Sequence, residues 1–366
     1  MRTVPFDPES ARKAIEYCYE QGWTDGLPVV PPSPEAVQSF VQAAGREPGE
    51  VIGRMEHLDR ACTVQLAAIN AVMAGCRPEH FPVVLAAWEA LRDEGSAFGG
   101  GWQSTTGPAP LLIVNGPARQ RLGFNGGGNV FGPGFRANAT VGRAIRLILM
   151  NVFGLEPQVL DQSTQGTPGK YTLCIAENEE ESPWEPLHVE HGHPPESSVV
   201  SAIMVRDTAH IDNRHTADPD HLLADVVEAV SRSGTLMRPT THAIVVLGPE
   251  HARLLSRAGY SKADVRRYLC EHCGRSLRDL RRTGRGAVDD RGWLAPEGSA
   301  TAAHAWSRLD DDHFVRIIAS PDDVVIVVAG AGNAGVSTVC AAFNAFTPRR
   351  LPGMSVIREA GLPRGG

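Results

Sequence analysis

Two rhythms of apolar and polar positions run through this chain. Short apolar runs bounded by Gly and Pro predict buried strands at residues 111–114, 171–176, 243–247 and 324–329, with a further short strand at 354–357. Helical spacing predicts helices over residues 8–21, 62–75, 81–92, 220–232 and 262–269, a helix carrying Arg143 and Arg146, and a helix-like stretch over 336–346. Ser33 caps a proline-led helix start, and Gly22 stops the first helix. Small residues at Ala67, Ala68, Ala71, Ala86 and Ala87 suit a closely packed buried layer.

The same pattern occurs twice. Residues 111–122 (LLIVNGPARQRL) resemble residues 243–254 (AIVVLGPEHARL): an apolar strand, Gly-Pro, then a helix start with an arginine. A helix precedes each copy, and another apolar strand follows each. The expectation is an α/β fold of two pseudo-symmetric α/β halves with mainly parallel sheets. The first half spans residues 1–205, with an N-terminal helical segment and the glycine-rich loop; the second spans 206–366. A cleft is expected at the C-terminal ends of the strands.

Residues 110–146 organise the chemistry. A strand ends in Asn115-Gly116-Pro117, a wide polar loop follows over 123–134, and the Arg143 helix closes the segment. Glycine lets backbone N–H groups approach a ligand closely, so Gly126, Gly127 and Gly128 place a binding site here. Asn125, Asn129 and Asn138 accompany the loop as substrate-binding candidates, with Asn178 at the end of the next strand. Arg136, Arg143 and Lys170 are expected to hold an anionic group, and the Gly126 to Gly128 amides to stabilise developing negative charge. Glu177, with His188 or Glu190, is expected to transfer a proton. Asp25 reads as an Asx-turn residue. The loop from Gly99 to Pro108 offers hydroxyls and amides ahead of the strand.

Composition narrows the partners. At 366 residues, 42% hydrophobic and 21% charged, with net charge −7, the chain reads as globular and has no basic face for nucleic acid. No run approaches the roughly 18 apolar residues of a membrane span, and the start lacks a signal-peptide layout, so a cytoplasmic protein without a membrane partner is expected. Seven cysteines make no disulfide framework. Lysine occurs only at 13, 170 and 262, which makes Lys170 conspicuous.

Three stretches have the spacing of known motifs. Gly330-Ala331-Gly332-Asn333-Ala334-Gly335 has the spacing of a dinucleotide fingerprint, but it comes too near the end of the chain to open a nucleotide fold. A tight strand-to-helix turn is the preferred reading. The segment from His188 to His193 offers metal ligands, with His188, Glu190 and His191 as the candidate set. Cys270-Glu271-His272-Cys273 sits at the end of a helix rather than its start, so two thiols without a role are expected.

Four stretches carry a resemblance: GWTDGLPVVPP, AINAVMAGCRPEHFPVVLAA, GFNGGGNVFGPGFRANATVGRAIRLILMN and STQGTPGKYTLCIAENEEESPWEPLHVE. Together they resemble a bacterial family associated with small domains bearing a selenocysteine (or cysteine)-Gly-Ser-Cys signature, the UGSC proteins. The resemblance implies a redox or thiol-linked setting and supplies no reaction. No Cys-Gly-Ser-Cys occurs in this chain, so such a thiol or selenol would come from a partner protein.

The leading expectation is an enzyme acting on a small polar, anionic molecule. The alternatives are a non-catalytic scaffold or carrier subunit for a thiol protein, and a metal-dependent lyase or hydrolase using the His188 segment. The expected partners are a small-molecule substrate, a thiol or selenol protein, and further copies of the chain in a homo-oligomer. The sequence assigns no cofactor.

Overall fold

A computed structural model describes residues 7–95, 100–233, 238–299, 306–343 and 352–359. Its largest sheet has seven strands. Six run across it in the order Val324–Val328, Ala243–Leu247, Val336–Ala342, Val199–Asp212, Ala109–Asn115, Cys174–Ala176, and Gly353–Val356 pairs with the start of Val199–Asp212. Only the two outer pairs are parallel, and the four remaining pairings are antiparallel. The fold is α/β, but its sheet is mixed rather than mainly parallel.

The difference comes from two strands at the centre. Val336–Ala342, in a stretch expected to be helix-like, is a strand; residues 344–346 of that expectation lie outside the described residues. Its β-branched Val336, Thr338 and Val339 suit an extended chain, and burial of nearly its whole length removes the alternation that marks a half-exposed strand. Val199–Asp212 has no counterpart among the expected elements. It is buried over its first seven residues, and residue 205 lies within it.

The sheet is curled around a core of its own. Ile113, Ile175, Ile203, Val246, Val327 and Cys340, one from each of the six ordered strands, belong to one buried cluster. The two edge strands meet where they end: Asn178 N donates to Val328 O at 2.8 Å, and Gly330 N donates to Gly126 O at 2.8 Å. Helices cover the outer face in two groups. Val64–Ala74, Phe81–Glu94 and Arg136–Asn151 pack over Leu112, Val114 and Ala202, with the expected small residues Ala67, Ala68, Ala71 and Ala87 fully buried. Pro219–Ser233, Pro249–Arg257 and Lys262–His272 pack over Val245, Ile326 and Val339.

The strand, Gly-Pro and helix segments at residues 111–122 and 243–254 have a structural reason for their glycines. A Cβ on Gly116 would sit 2.1 Å from Ser197 O, and one on Gly248 would sit 2.2 Å from Val336 O. Next to each glycine a serine hydroxyl accepts a backbone N–H: Ala118 N donates to Ser198 Oγ at 2.9 Å, and Gly248 N donates to Ser337 Oγ at 3.0 Å. Gly116 also has φ +80°, where an L side chain is strained. Gly116→Ala is expected to lose about 1–3 kcal/mol of stability in urea unfolding; unchanged stability would show that the strand end yields.

The fingerprint-like glycines of residues 330–335 join the strands Val324–Val328 and Val336–Ala342. No helix follows them to point its N-terminus at a phosphate. Cys270 lies within the helix Lys262–His272 and Cys273 at its C-cap. All seven cysteines are free and buried, and burial pushes the Cys62, Cys76, Cys273 and Cys340 thiols up to about 12. Among the described residues, no helix is long and apolar enough to cross a membrane. Gly99 lies outside the described residues.

Candidate functional site

Glu177 follows Ile175 by two residues at the end of the strand Cys174–Ala176, so the pleat turns it toward the same interior. It is fully buried. Its Oε2 accepts from Asn115 Nδ2 at 2.6 Å and from Leu187 N at 2.8 Å. Asn115 is the last residue of the neighbouring parallel strand, so register alone brings the two side chains together. The other oxygen, Oε1, has no hydrogen-bond partner and stands 3.8 Å from Lys262 Nζ.

Lys262 is the first residue of the helix Lys262–His272 and is 4% exposed. Its ammonium donates to Glu185 O at 2.6 Å and to Glu190 Oε2 at 2.8 Å. One turn on, Arg266 grips both oxygens of Glu190, at 3.1 and 3.2 Å. On the opposite flank Glu179 Oε1 accepts from Asn115 Nδ2 at 3.0 Å and from Gly116 N at 2.8 Å. Buried Arg119 binds Glu179 at 2.8 Å and Glu180 at 3.0 and 3.1 Å, and donates to Glu177 O at 2.9 Å. His188, on the short helix Leu187–Glu190, is fully buried, with Nδ1 4.0 Å from Glu179 Oε1.

Burial pushes the Glu177 carboxyl above the ordinary carboxylate range, opposed by the Lys262 charge and the Leu187 and Asn115 donors. Burial also holds His188 below the ordinary imidazole value against the charge of Glu179. The carboxylates of Glu179, Glu180 and Glu190 face the cations of Arg119, Lys262 and Arg266. Three buried polar atoms in this one cluster lack a hydrogen-bond partner: Asn115 Oδ1, Glu177 Oε1 and His188 Nδ1. Such atoms are costly to bury unpaired, about 1–3 kcal/mol each, and they concentrate where a ligand or water binds.

Buried imidazoles set an acid limit. His80, His188 and His251 are all held low by burial. The unfolded chain takes up protons on these groups below about pH 6.5 and the folded chain only at lower pH, so their contribution is present above that value and lost as pH falls. Urea midpoints measured from pH 7.5 to 5 are expected to fall, and to fall less in His188→Asn. An unchanged slope in that variant would remove His188 from the account.

The residues expected from the sequence divide into two sets. Glu177, His188 and Glu190 do come together, with Asn178 beside them: Asn178 Nδ2 donates to Gly330 O at 3.1 Å. Asn125 and Gly126 lie at the same edge, where Asn125 O accepts from Ala176 N at 3.1 Å. Gly126 has a packing reason, since a Cβ there would sit 2.9 Å from both Ala176 O and Glu177 O. Gly127 N donates to Asn125 Oδ1 at 2.9 Å, while among the described residues the N–H groups of Gly126 and Gly128 have no acceptor. Asn129, at φ +60°, holds the loop's own backbone at Pro133 O, and buried Asn138 ties Asn125 O to Cys174 O of the neighbouring strand.

The expected anion clamp does not assemble. Arg143 pairs with Asp25 at 2.7 Å and donates to Leu27 O and Pro28 O, fixing the N-terminal turn. Arg136 donates to Gly75 O and Cys76 O at the end of the helix Val64–Ala74. Lys170 pairs with Asp161 at 2.7 Å and donates to Ser163 Oγ, and Arg146 binds the same carboxylate at 3.0 Å. Each of these cations is engaged by partners from its own neighbourhood. The metal set does not assemble either: Glu190 is taken by Lys262 and Arg266, His188 Nε2 faces Pro195 O at 3.4 Å, and His191 is exposed. Among the described residues no group of three His, Cys, Asp or Glu side chains is placed to hold a metal.

The sequence reading missed Asn115, Arg119, Glu179, Lys262 and Arg266. One signal was available for Lys262: the scarcity of lysine that drew attention to Lys170 applies equally to it. No family model matches the chain, and no curated protein matches it.

Proposed function

We propose that this chain is an enzyme that moves a proton on a small polar, anionic molecule, with Glu177 as the acid–base group. The carrying observation is Glu177 Oε1: buried, without a hydrogen-bond partner, and 3.8 Å from the Lys262 ammonium. Asn115 and Leu187 N fix the other oxygen, so the unbonded one has a defined direction. A raised carboxyl pKa suits proton exchange near neutral pH, and Lys262 offers charge to an intermediate of opposite sign. The free N–H groups of Gly126 and Gly128 supply donors at the rim. Because Glu177 is fully buried, the substrate enters where the Gly126 to Gly330 hydrogen bond parts.

At that rim the anion-holding role passes to Arg253. A Cβ on Gly332 would sit 2.6 Å from Arg253 Nη2 and 2.7 Å from Glu181 Oε2. The Arg253–Glu181 pair has side chains 35% and 45% exposed, so it contributes little to stability and yields to a substrate anion. In this reading the two halves are related copies. The matched glycines, the matched serines and a strand order with a parallel pair at each end support it. A redox or thiol-linked setting requires a partner's thiol or selenol, since burial raises the pKa of every cysteine in the chain.

A second reading is favoured by the grip of Lys262 and Arg266 on Glu190: the network is a clasp tying the 262–272 helix to the first half, and the chain is a non-catalytic carrier. Exposing a small-molecule extract to the wild-type chain and to Glu177→Gln separates the two. Turnover by the wild type alone supports the enzyme; no turnover by either supports the clasp.

A further inference from the structure

A second polar feature shares no residue with the Glu177 cluster. Arg206, Arg232, Arg275 and Arg285 line one cavity of about 100 Å³. They come from four places: the strand Val199–Asp212, the last turn of the helix Pro219–Ser233, the strand Gly274–Ser276, and the segment after the helix Leu277–Arg282. Among the described residues the remaining lining is Pro239 and apolar side chains, including Trp306, Val315 and Ile317, with no Asp or Glu.

Like charges around a small cavity repel one another unless something negative lies between them, and Arg232, Arg275 and Arg285 bring three to this one. Neighbouring arginines are neutralised in the ordinary way: Arg281 pairs with Asp311 and Glu297, and Arg278 with Asp312. Among the described residues Arg232, Arg275 and Arg285 have no carboxylate partner. Arg206 donates from Nε to Ala342 O at 3.0 Å, and burial together with the Arg285 charge lowers its pKa against the pull of Asp207. Arg238, one residue before the lining Pro239, has its Nε buried without a hydrogen-bond partner.

We infer that this cavity binds a small oxyanion of the phosphate class, held by the forked donors of Arg232, Arg275 and Arg285. Guanidinium groups match phosphate oxygens in charge and geometry. A cavity of about 100 Å³ has room for a phosphate group. The stretch from Arg275 to Arg285 divides: Arg278 and Arg282 are exposed, while Arg275 and Arg285 line the cavity. This site stands independently of the proposed role of Glu177.

The test is calorimetric titration and thermal unfolding of the full chain with inorganic phosphate at constant ionic strength, with chloride and acetate as controls. Saturable phosphate binding with a rising Tm is expected, and at least tenfold weaker binding in Arg275→Gln and in Arg285→Gln. No saturable binding by the wild type, wild-type affinity in both variants, or equal binding of acetate would overturn the proposal. Should either variant fail to fold, Arg232→Gln, at an exposed helix end, gives the same comparison.

Discussion

Replacing Lys262 with methionine is expected to destabilise the folded chain by about 3–5 kcal/mol, the range found when one partner of a buried ion pair is removed. Lys262 is 4% exposed and stands between Glu190 at 2.8 Å and Glu177 at 3.8 Å. Methionine fills similar space but leaves Glu185 O and one oxygen of Glu190 without their ammonium donor. Arg266 still holds Glu190, so the chain is expected to fold, with a lower urea midpoint. Adding Glu177→Gln should return part of the loss, because the buried acid that Lys262 faces is then neutral. A double-mutant cycle is expected to give a coupling of about 1–3 kcal/mol. Additive losses would mean that Lys262 and Glu177 do not interact.

Glu177→Gln has the larger effect on function. Gln retains an oxygen for Asn115 Nδ2 and Leu187 N, so the strand ends stay joined. It cannot exchange a proton, and kcat/KM is expected to fall about 10²- to 10⁴-fold. Its stability profile follows from the raised pKa. The folded wild type keeps the Glu177 proton to higher pH than the unfolded chain, which releases it near pH 4.3. Wild-type stability therefore falls as pH rises through the folded-state pKa, a loss the Gln variant does not share. Relative to the wild type the variant is expected to gain stability with rising pH, measured by urea unfolding between pH 4 and 8. A flat difference would show that Glu177 is charged alike in both states.

Helices were legible from sequence because their ends are marked locally. Ser33 caps the helix Pro34–Ala44, and Gly75 and Gly95 end Val64–Ala74 and Phe81–Glu94 in left-handed conformation. The outer strands were legible as apolar runs between Gly and Pro. The sheet's sense was not, because the strands that reverse it, Val199–Asp212 and Val336–Ala342, are buried along most of their length and show little alternation.

Glu177, His188 and Glu190 could be grouped from sequence because they lie within one short stretch, and the structure places them in one cluster. The roles given to Arg143 and Lys170 were not sustained. A sequence does not reveal that Asp25, 118 positions away, already holds Arg143, or that Asp161 holds Lys170. Lys262 was missed for the converse reason. Its carboxylate partner Glu190 is 72 positions distant, and nothing local distinguishes a lysine at a helix start from a solvated one.

The account turns on whether Glu177 performs chemistry. The most direct measurement is mass-spectrometric profiling of a small-molecule extract incubated with the wild-type chain and, in parallel, with Glu177→Gln shown by circular dichroism to be folded. The account predicts that at least one anionic metabolite is converted by the wild type and persists with the variant. Conversion at equal rates by both, or none by the wild type, would contradict it.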